Sequence, residues 1–122
     1  MSRILIIDDE KAILKMLQKL LEREGYEVLI AHNGKEGLKL FQTFEVDLVI
    51  TDLIMPEVEG IEVIGALKKD VSDVKIIAVS GGGIVDSGNY LQLAEQIGAD
   101  LIFEKPIECN MLLEGIKDLL KE

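Results

Sequence analysis

The stretch VITDLIMP, Val49 to Pro56, carries one carboxylate inside an otherwise apolar run. Asp52 comes soon after Val49 and Ile50 and directly precedes Leu53, Ile54 and Met55. An ionised carboxylate is costly to bury unless a partner compensates it. Asp is also common where a strand gives way to a turn. The run therefore reads in one of two ways: a strand closed by a turn residue, or a strand holding a reactive group at the mouth of a sheet. The flanking sequence is needed to separate them.

Working outward, five short runs rich in Ile, Val and Leu stand out: Ile4–Ile7, Glu27–Ala31, Leu48–Thr51, Lys75–Ser80 and Leu101–Glu104. Ile4–Ile7, Leu48–Ile50 and Ile76–Val79 are continuously apolar, as strands covered on both faces are. Helical patterns lie between and after them. Ala12–Glu24 places Ile13, Leu14, Leu17, Leu20 and Leu21 on one stripe, and Gly25 follows as a stop. Lys35–Phe44 carries Leu38, Phe41 and Phe44; Glu59–Lys69 carries Ile61, Ile64 and Leu67. Ser87–Ile97 carries Leu91, Ala94 and Ile97 and stops at Gly98; Asn110–Leu120 carries Leu112, Ile116, Leu119 and Leu120. A βα unit repeated five times predicts an α/β fold with helices on both faces of a doubly wound, five-stranded parallel sheet. Right-handed crossovers leave few topologies, and at this size the expected order is 2-1-3-4-5, the flavodoxin-like (βα)5 arrangement.

The 122 residues fit one domain, 1–122, long enough to bury roughly two-thirds of the unfolded surface. With 48% hydrophobic and 30% charged residues the chain reads as globular rather than disordered. Its net charge of −10 argues against direct contact with nucleic acid, because phosphate binding needs a basic patch. No apolar run approaches the ~20 residues of a membrane span. Met1–Ile7 meets Asp8 and Asp9 too soon to be a signal peptide. The single cysteine, Cys109, cannot form an internal disulfide, so a cytoplasmic location is expected. It reads as a helix-start residue, since the lone His32 lies in a different segment.

In an open α/β sheet the functional crevice lies beyond the carboxyl ends of the strands. The first strand ends in Asp8-Asp9-Glu10, the second in Ala31-His32-Asn33-Gly34, and the third in Thr51-Asp52. The fourth ends in Ser80-Gly81-Gly82-Gly83 and the fifth in Glu104-Lys105-Pro106. The expected order sets the first strand beside the third, so Asp8, Asp9 and Asp52 come within several Å of one another. Two like charges 4 Å apart cost about 4 kcal/mol at an effective dielectric near 20. A divalent cation resolves that repulsion, and oxygen ligands without His or Cys point to Mg2+. The alternative is that Asp8 and Asp9 cap the following helix, which can coexist with metal binding. Ser80 could hydrogen-bond a phosphoryl oxygen and Lys105 could neutralise another; singly, they read equally as a turn residue and a surface charge.

Together these residues resemble the receiver domains of two-component response regulators. The resemblance runs from Ile4 to about Leu120 and rests on ILIIDDE, DLVITDLIMPEVEG, AVSGG and GADLIFEKP in that order. It implies that Asp52 accepts a phosphoryl group from a phosphohistidine of a sensor histidine kinase or phosphotransfer domain. It implies Mg2+ held by Asp9 and Asp52, by the backbone carbonyl of Ile54, and by Asp8 through water. Ser80 matches the family's switch hydroxyl and Lys105 its lysine. Pro106 suggests a cis Lys105–Pro106 bond, and Gly60 belongs to the loop after the acceptor strand. Such a module catalyses only its own phosphorylation and dephosphorylation and passes the signal to an output domain or downstream protein that the sequence does not identify.

The chain departs from the family in two places. Ile102 stands where receivers usually carry an aromatic residue, three positions before the lysine, and Phe103 follows it; Ile107 also replaces the usual aromatic after Lys-Pro. The segment from Ser80 to Lys105 is longer than usual and contains Gly81-Gly82-Gly83, read either as a mobile loop before a shifted helix or as a surface insertion. Two other functions compete. A pseudo-receiver that is never phosphorylated conflicts with the intact Asp8, Asp9, Asp52, Ser80 and Lys105 set. A Mg2+-dependent phosphohydrolase would want a second Asp two residues after the nucleophile, where Ile54 stands.

Overall fold

The computed structural model describes residues 2–53, 60–70, 74–80 and 96–121. Its strands are β1 (Arg3–Ile7), β2 (Glu27–Ala31), β3 (Leu48–Asp52), β4 (Lys75–Ser80) and β5 (Leu101–Glu104). Its helices are α1 (Lys11–Arg23), α2 (Gly34–Thr43), α3 (Gly60–Asp70) and a C-terminal helix (Cys109–Leu120). The strands form one parallel sheet in the order β2-β1-β3-β4-β5, as the sequence pattern predicts. The helix expected over Ser87–Ile97 lies almost wholly outside the described residues. Gln96 and Ile97 are helical, and Gly98 follows at φ 87°, a left-handed turn that suits glycine.

Strand alternation divides the core in two, which is why Ile4–Ile7, Leu48–Ile50 and Ile76–Val79 are apolar at every position. On one face Leu5, Ile7, Val49, Ile76 and Ala78 pack with Phe41 of α2 and Val63, Ile64 and Leu67 of α3. On the other Ile4, Ile6, Leu48, Ile50, Ile77 and Val79 pack with Leu14, Leu17 and Leu21 of α1 and Leu112 and Ile116 of the C-terminal helix.

The register places the functional edge. Ile7 pairs with Ala31 and Thr51, Asp52 with Val79, and Ser80 with Glu104. Asp8, Asp52, Ser80 and Lys105 are therefore strand-end neighbours. Asp52 belongs to the strand itself, one residue beyond the expected end at Thr51. The next residue's N–H, that of Leu53, donates to Val79 O at 2.9 Å and closes the ladder around Asp52.

Close helix packing sharpens that alignment. A Cβ built on Gly37 of α2 would overlap the Ile7 side chain, lying within 2.7 Å of its Cγ1. Gly65 of α3 is exposed, and a Cβ there meets nothing within 4 Å. Gly37→Val should lower stability by about 1–3 kcal/mol through overpacking. Gly65→Ala should raise it by about 0.5–1 kcal/mol through helix propensity. Chemical denaturation of both variants checks the pair; equal effects at the two sites would contradict the packing described.

Candidate functional site

The site is built from three strand ends. Asp52 closes the central strand and is 6% exposed; Asp8 follows β1 and is buried. The Asp8 Oδ1 accepts the Glu10 N–H at 2.8 Å, and its backbone N–H donates to Ala31 O at 3.1 Å. Lys105 follows β5, its N–H donating to Ser80 O at 2.9 Å, and the Lys105–Pro106 peptide bond is cis.

Among the described residues the Lys105 ammonium meets three carboxylates. Its Nζ lies 3.1 Å from Asp52 Oδ2, 3.2 Å from Asp8 Oδ2 and 2.8 Å from Glu10 Oε1. An ammonium has three N–H donors, so this arrangement can occupy all of them. Burial works against the lysine's charge. Hydrogen bonds to Glu10 and Asp52, with attraction from Asp8 and Asp52, nonetheless hold its pKa above the ordinary lysine value. Burial pushes the Asp8 carboxyl above its ordinary value and repulsion from Asp52 adds to this, against the opposing Glu10 amide and Lys105.

Of the residues expected from sequence, Asp8, Asp52 and Lys105 are brought into contact. Ser80 is fully buried at the end of β4, next in sequence to Val79, the register partner of Asp52. Asp9 is exposed at the same strand end. Ile54 and Gly81–Gly83 lie outside the described residues. Glu10 was noted in the sequence only as part of the first strand's end; the structure adds it to the site. The sequence carried one signal for it, the acidic run Asp8-Asp9-Glu10.

Carboxylate oxygens of Asp8, Glu10 and Asp52 all lie within 4.8 Å of one another. That all-oxygen set suits a hard cation such as Mg2+, which takes oxygens at about 2.0–2.1 Å and keeps several waters. Asp8 does not act as a helix cap: its carboxylate turns the chain at Glu10. The α1 N-cap residue is Glu10, whose side chain makes no cap hydrogen bond.

Strand alternation separates Ile102 from Phe103. Ile102 packs on the α2–α3 side. Phe103 packs on the opposite side, beneath Gly115 of the C-terminal helix, where an added Cβ would lie 3.4 Å from its Cζ. Position 102, where the receiver pattern expects an aromatic residue, thus presents isoleucine to the α2–α3 face.

The response regulator receiver domain family matches residues 4–117, and the chain belongs to it. It is 31% identical to the transcriptional regulatory protein CpxR of Escherichia coli over 99% of this chain and 50% of that protein. It is 38% identical to the probable transcriptional regulator ycf27 of Cyanidium caldarium over 97% of this chain and 46% of that protein. The chain thus spans about half the length of these curated relatives. Among solved structures, it is similar to the response regulator protein TrrA of Thermotoga maritima in complex with Mg2+ and BeF. The TM-score is 0.84 at 39% identity, covering 98% of this chain and 99% of that one. A CheY-like receiver domain protein of Methanospirillum hungatei aligns at TM-score 0.89 and 36% identity, over 99% and 94% of the two chains. Among the described residues no helix is long and apolar enough to cross a membrane.

Because burial and Asp52 disfavour the Asp8 anion, its folded pKa exceeds its unfolded one, and the anion opposes folding. The sign follows: the folded state binds more protons, so stability falls as pH rises above 3.8 toward the raised value. In chelator-treated protein, Asp8→Asn should raise the thermal midpoint at pH 7, and the gain should disappear toward pH 3.8 and below. A gain independent of pH, or a loss at pH 7, would contradict this origin.

Proposed function

We propose that this receiver domain takes a phosphoryl group onto Asp52 from a phosphohistidine of a sensor histidine kinase or phosphotransfer domain. The observation that carries the reading is the buried Asp52 carboxylate at the end of the central strand, 3.1 Å from the Lys105 ammonium. Asp52 Oδ attacks phosphorus while the phosphorus–nitrogen bond of the donor breaks, and the electron pair remains on the departing imidazole. Lys105 holds positive charge beside the acceptor as the phosphoryl oxygens approach. Ser80, buried at the neighbouring strand end, supplies a hydroxyl to a phosphoryl oxygen. Asp52 and Asp9, with Asp8 through water and the Ile54 carbonyl, would hold Mg2+. When bound, the ion neutralises charge on the phosphoryl oxygens. The acyl phosphate carries close to two negative charges where one stood, and a coupling of about 1–3 kcal/mol suffices to shift a two-state surface.

The relatives are named as transcriptional regulators and this chain spans about half their length. Its output therefore passes either to a domain elsewhere in a longer chain or to a separate protein. Direct nucleic-acid binding by these residues is opposed by the net charge of −10.

Incubation with phosphoramidate and Mg2+ followed by intact-mass analysis tests the reading. The protein should gain one labile phosphoryl group, Asp52→Asn should gain none, and a chelator should abolish the reaction. An unmodified wild-type chain would favour a pseudo-receiver; many equivalents of phosphate released from varied esters would favour a phosphohydrolase.

A further inference from the structure

Glu10 occupies a position at which side chains ordinarily serve the helix. At N-cap positions the side chain accepts a hydrogen bond from an orphan N–H of the first turn. Asn33 does so for α2, accepting the Glu36 N–H at 2.8 Å, and Glu108 does so for the C-terminal helix, accepting the Met111 N–H at 2.7 Å. Glu10 makes no such bond for α1. Its carboxylate reaches Lys105 instead, at 2.8 Å the shortest of the ammonium's three carboxylate contacts among the described residues. The three partners differ in exposure. The side chains of Asp8 and Asp52 are buried, whereas that of Glu10 is 58% exposed. An oxygen arriving on Asp52 that needs a donor from Lys105 must displace one contact. Water replaces an exposed partner far more readily than a buried one.

We propose that Glu10 is a positioning residue that occupies, in the resting protein, the Lys105 donor that a phosphoryl oxygen takes after transfer. The inference rests on Asp52 being the phosphoacceptor. Glu10 thereby keeps Lys105 at the acceptor edge before phosphorylation and opposes the phosphorylated form by competing for the same N–H. Releasing it sets the balance between the two states without touching the reacting atoms. A bare charge effect would act differently: it would depend on the presence of a carboxylate at position 10 and not on its reach.

Two variants separate these cases. Glu10→Gln keeps the length and removes the charge. Glu10→Asp keeps the charge and withdraws it by one methylene, out of reach of Lys105. Because Glu10 is exposed and caps nothing, both should fold, and their thermal midpoints check this. Affinity for beryllofluoride at saturating Mg2+, followed by fluorine NMR, is the readout, with Mg2+ affinity measured alone alongside it. Both variants should bind beryllofluoride about two- to fivefold tighter than wild type, the scale of one exposed ion pair. Tighter binding in Glu10→Gln with Glu10→Asp unchanged would overturn the proposal in favour of net charge. Weaker binding of both beryllofluoride and Mg2+ would overturn it in favour of Glu10 as a metal ligand, and unchanged binding in both variants would leave Glu10 with no role. Wild-type protein that binds no beryllofluoride would instead bring down the phosphoacceptor reading, and the proposal with it.

Discussion

One ammonium among three carboxylates sets the terms for this molecule. Asp8, Glu10 and Asp52 repel one another at the carboxyl edge of the sheet, and two such charges at 4 Å cost about 4 kcal/mol at an effective dielectric near 20. Lys105 offsets that repulsion with contacts of 2.8 to 3.2 Å. The compensation explains how the Asp52 carboxylate can close a buried strand, the question its apolar flanks raise. It also leaves the edge poised, since any added cation or anion must renegotiate the same contacts. The rest of the fold holds this edge in register: two apolar layers clamp the strands, and α2 approaches β1 closely enough that only glycine fits at Gly37 over Ile7.

Much of this was legible in the sequence because the fold is written in periodicity. Runs such as Ile4–Ile7 and Ile76–Val79 alternate between two apolar layers, so each position is buried and the strands read as unbroken apolar blocks. Right-handed crossovers then leave few orders, 2-1-3-4-5 is the common one at this size, and the order fixes which strand ends meet. Asp8, Asp52 and Lys105 could be gathered at one edge on that basis alone. Glu10 could not, because its contact depends on a rotamer that forgoes the cap bond its position favours. Capping preference and the acidic run both describe position 10, and neither predicts that its carboxylate turns toward β5. The end of β3 was also one residue short, since Asp is a poor strand former and only the ladder to Val79 retains it.

The strand β5 shows how a single exchange redirects a fold's interior. Alternation makes adjacent residues face opposite layers, so an aromatic shifted by one position changes sides. Phe103 fills the space beneath Gly115 and joins the layer of α1 and the C-terminal helix, while Ile102 faces α2 and α3. Among the described residues, β5 therefore offers no ring that could rotate toward Ser80 from the Ile102 face. The Lys105 and Ser80 strand ends are themselves joined by the Lys105 N–H to Ser80 O bond at 2.9 Å.

The central claim is that the carboxylate of Asp52 becomes an acyl phosphate. Borohydride reduction reads that chemistry at a single residue, because one hydride attacks the activated acyl carbon and expels phosphate to leave an aldehyde, and a second hydride with a proton from water reduces that to the alcohol, converting the aspartyl phosphate to homoserine. Peptide mapping of phosphoramidate-treated and reduced protein should find homoserine at position 52, with Asp8, Asp9 and Glu10 unaltered. Homoserine at position 8 or 9, a reduced Glu10, or no reduction product in a protein that has gained a phosphoryl group would contradict the account.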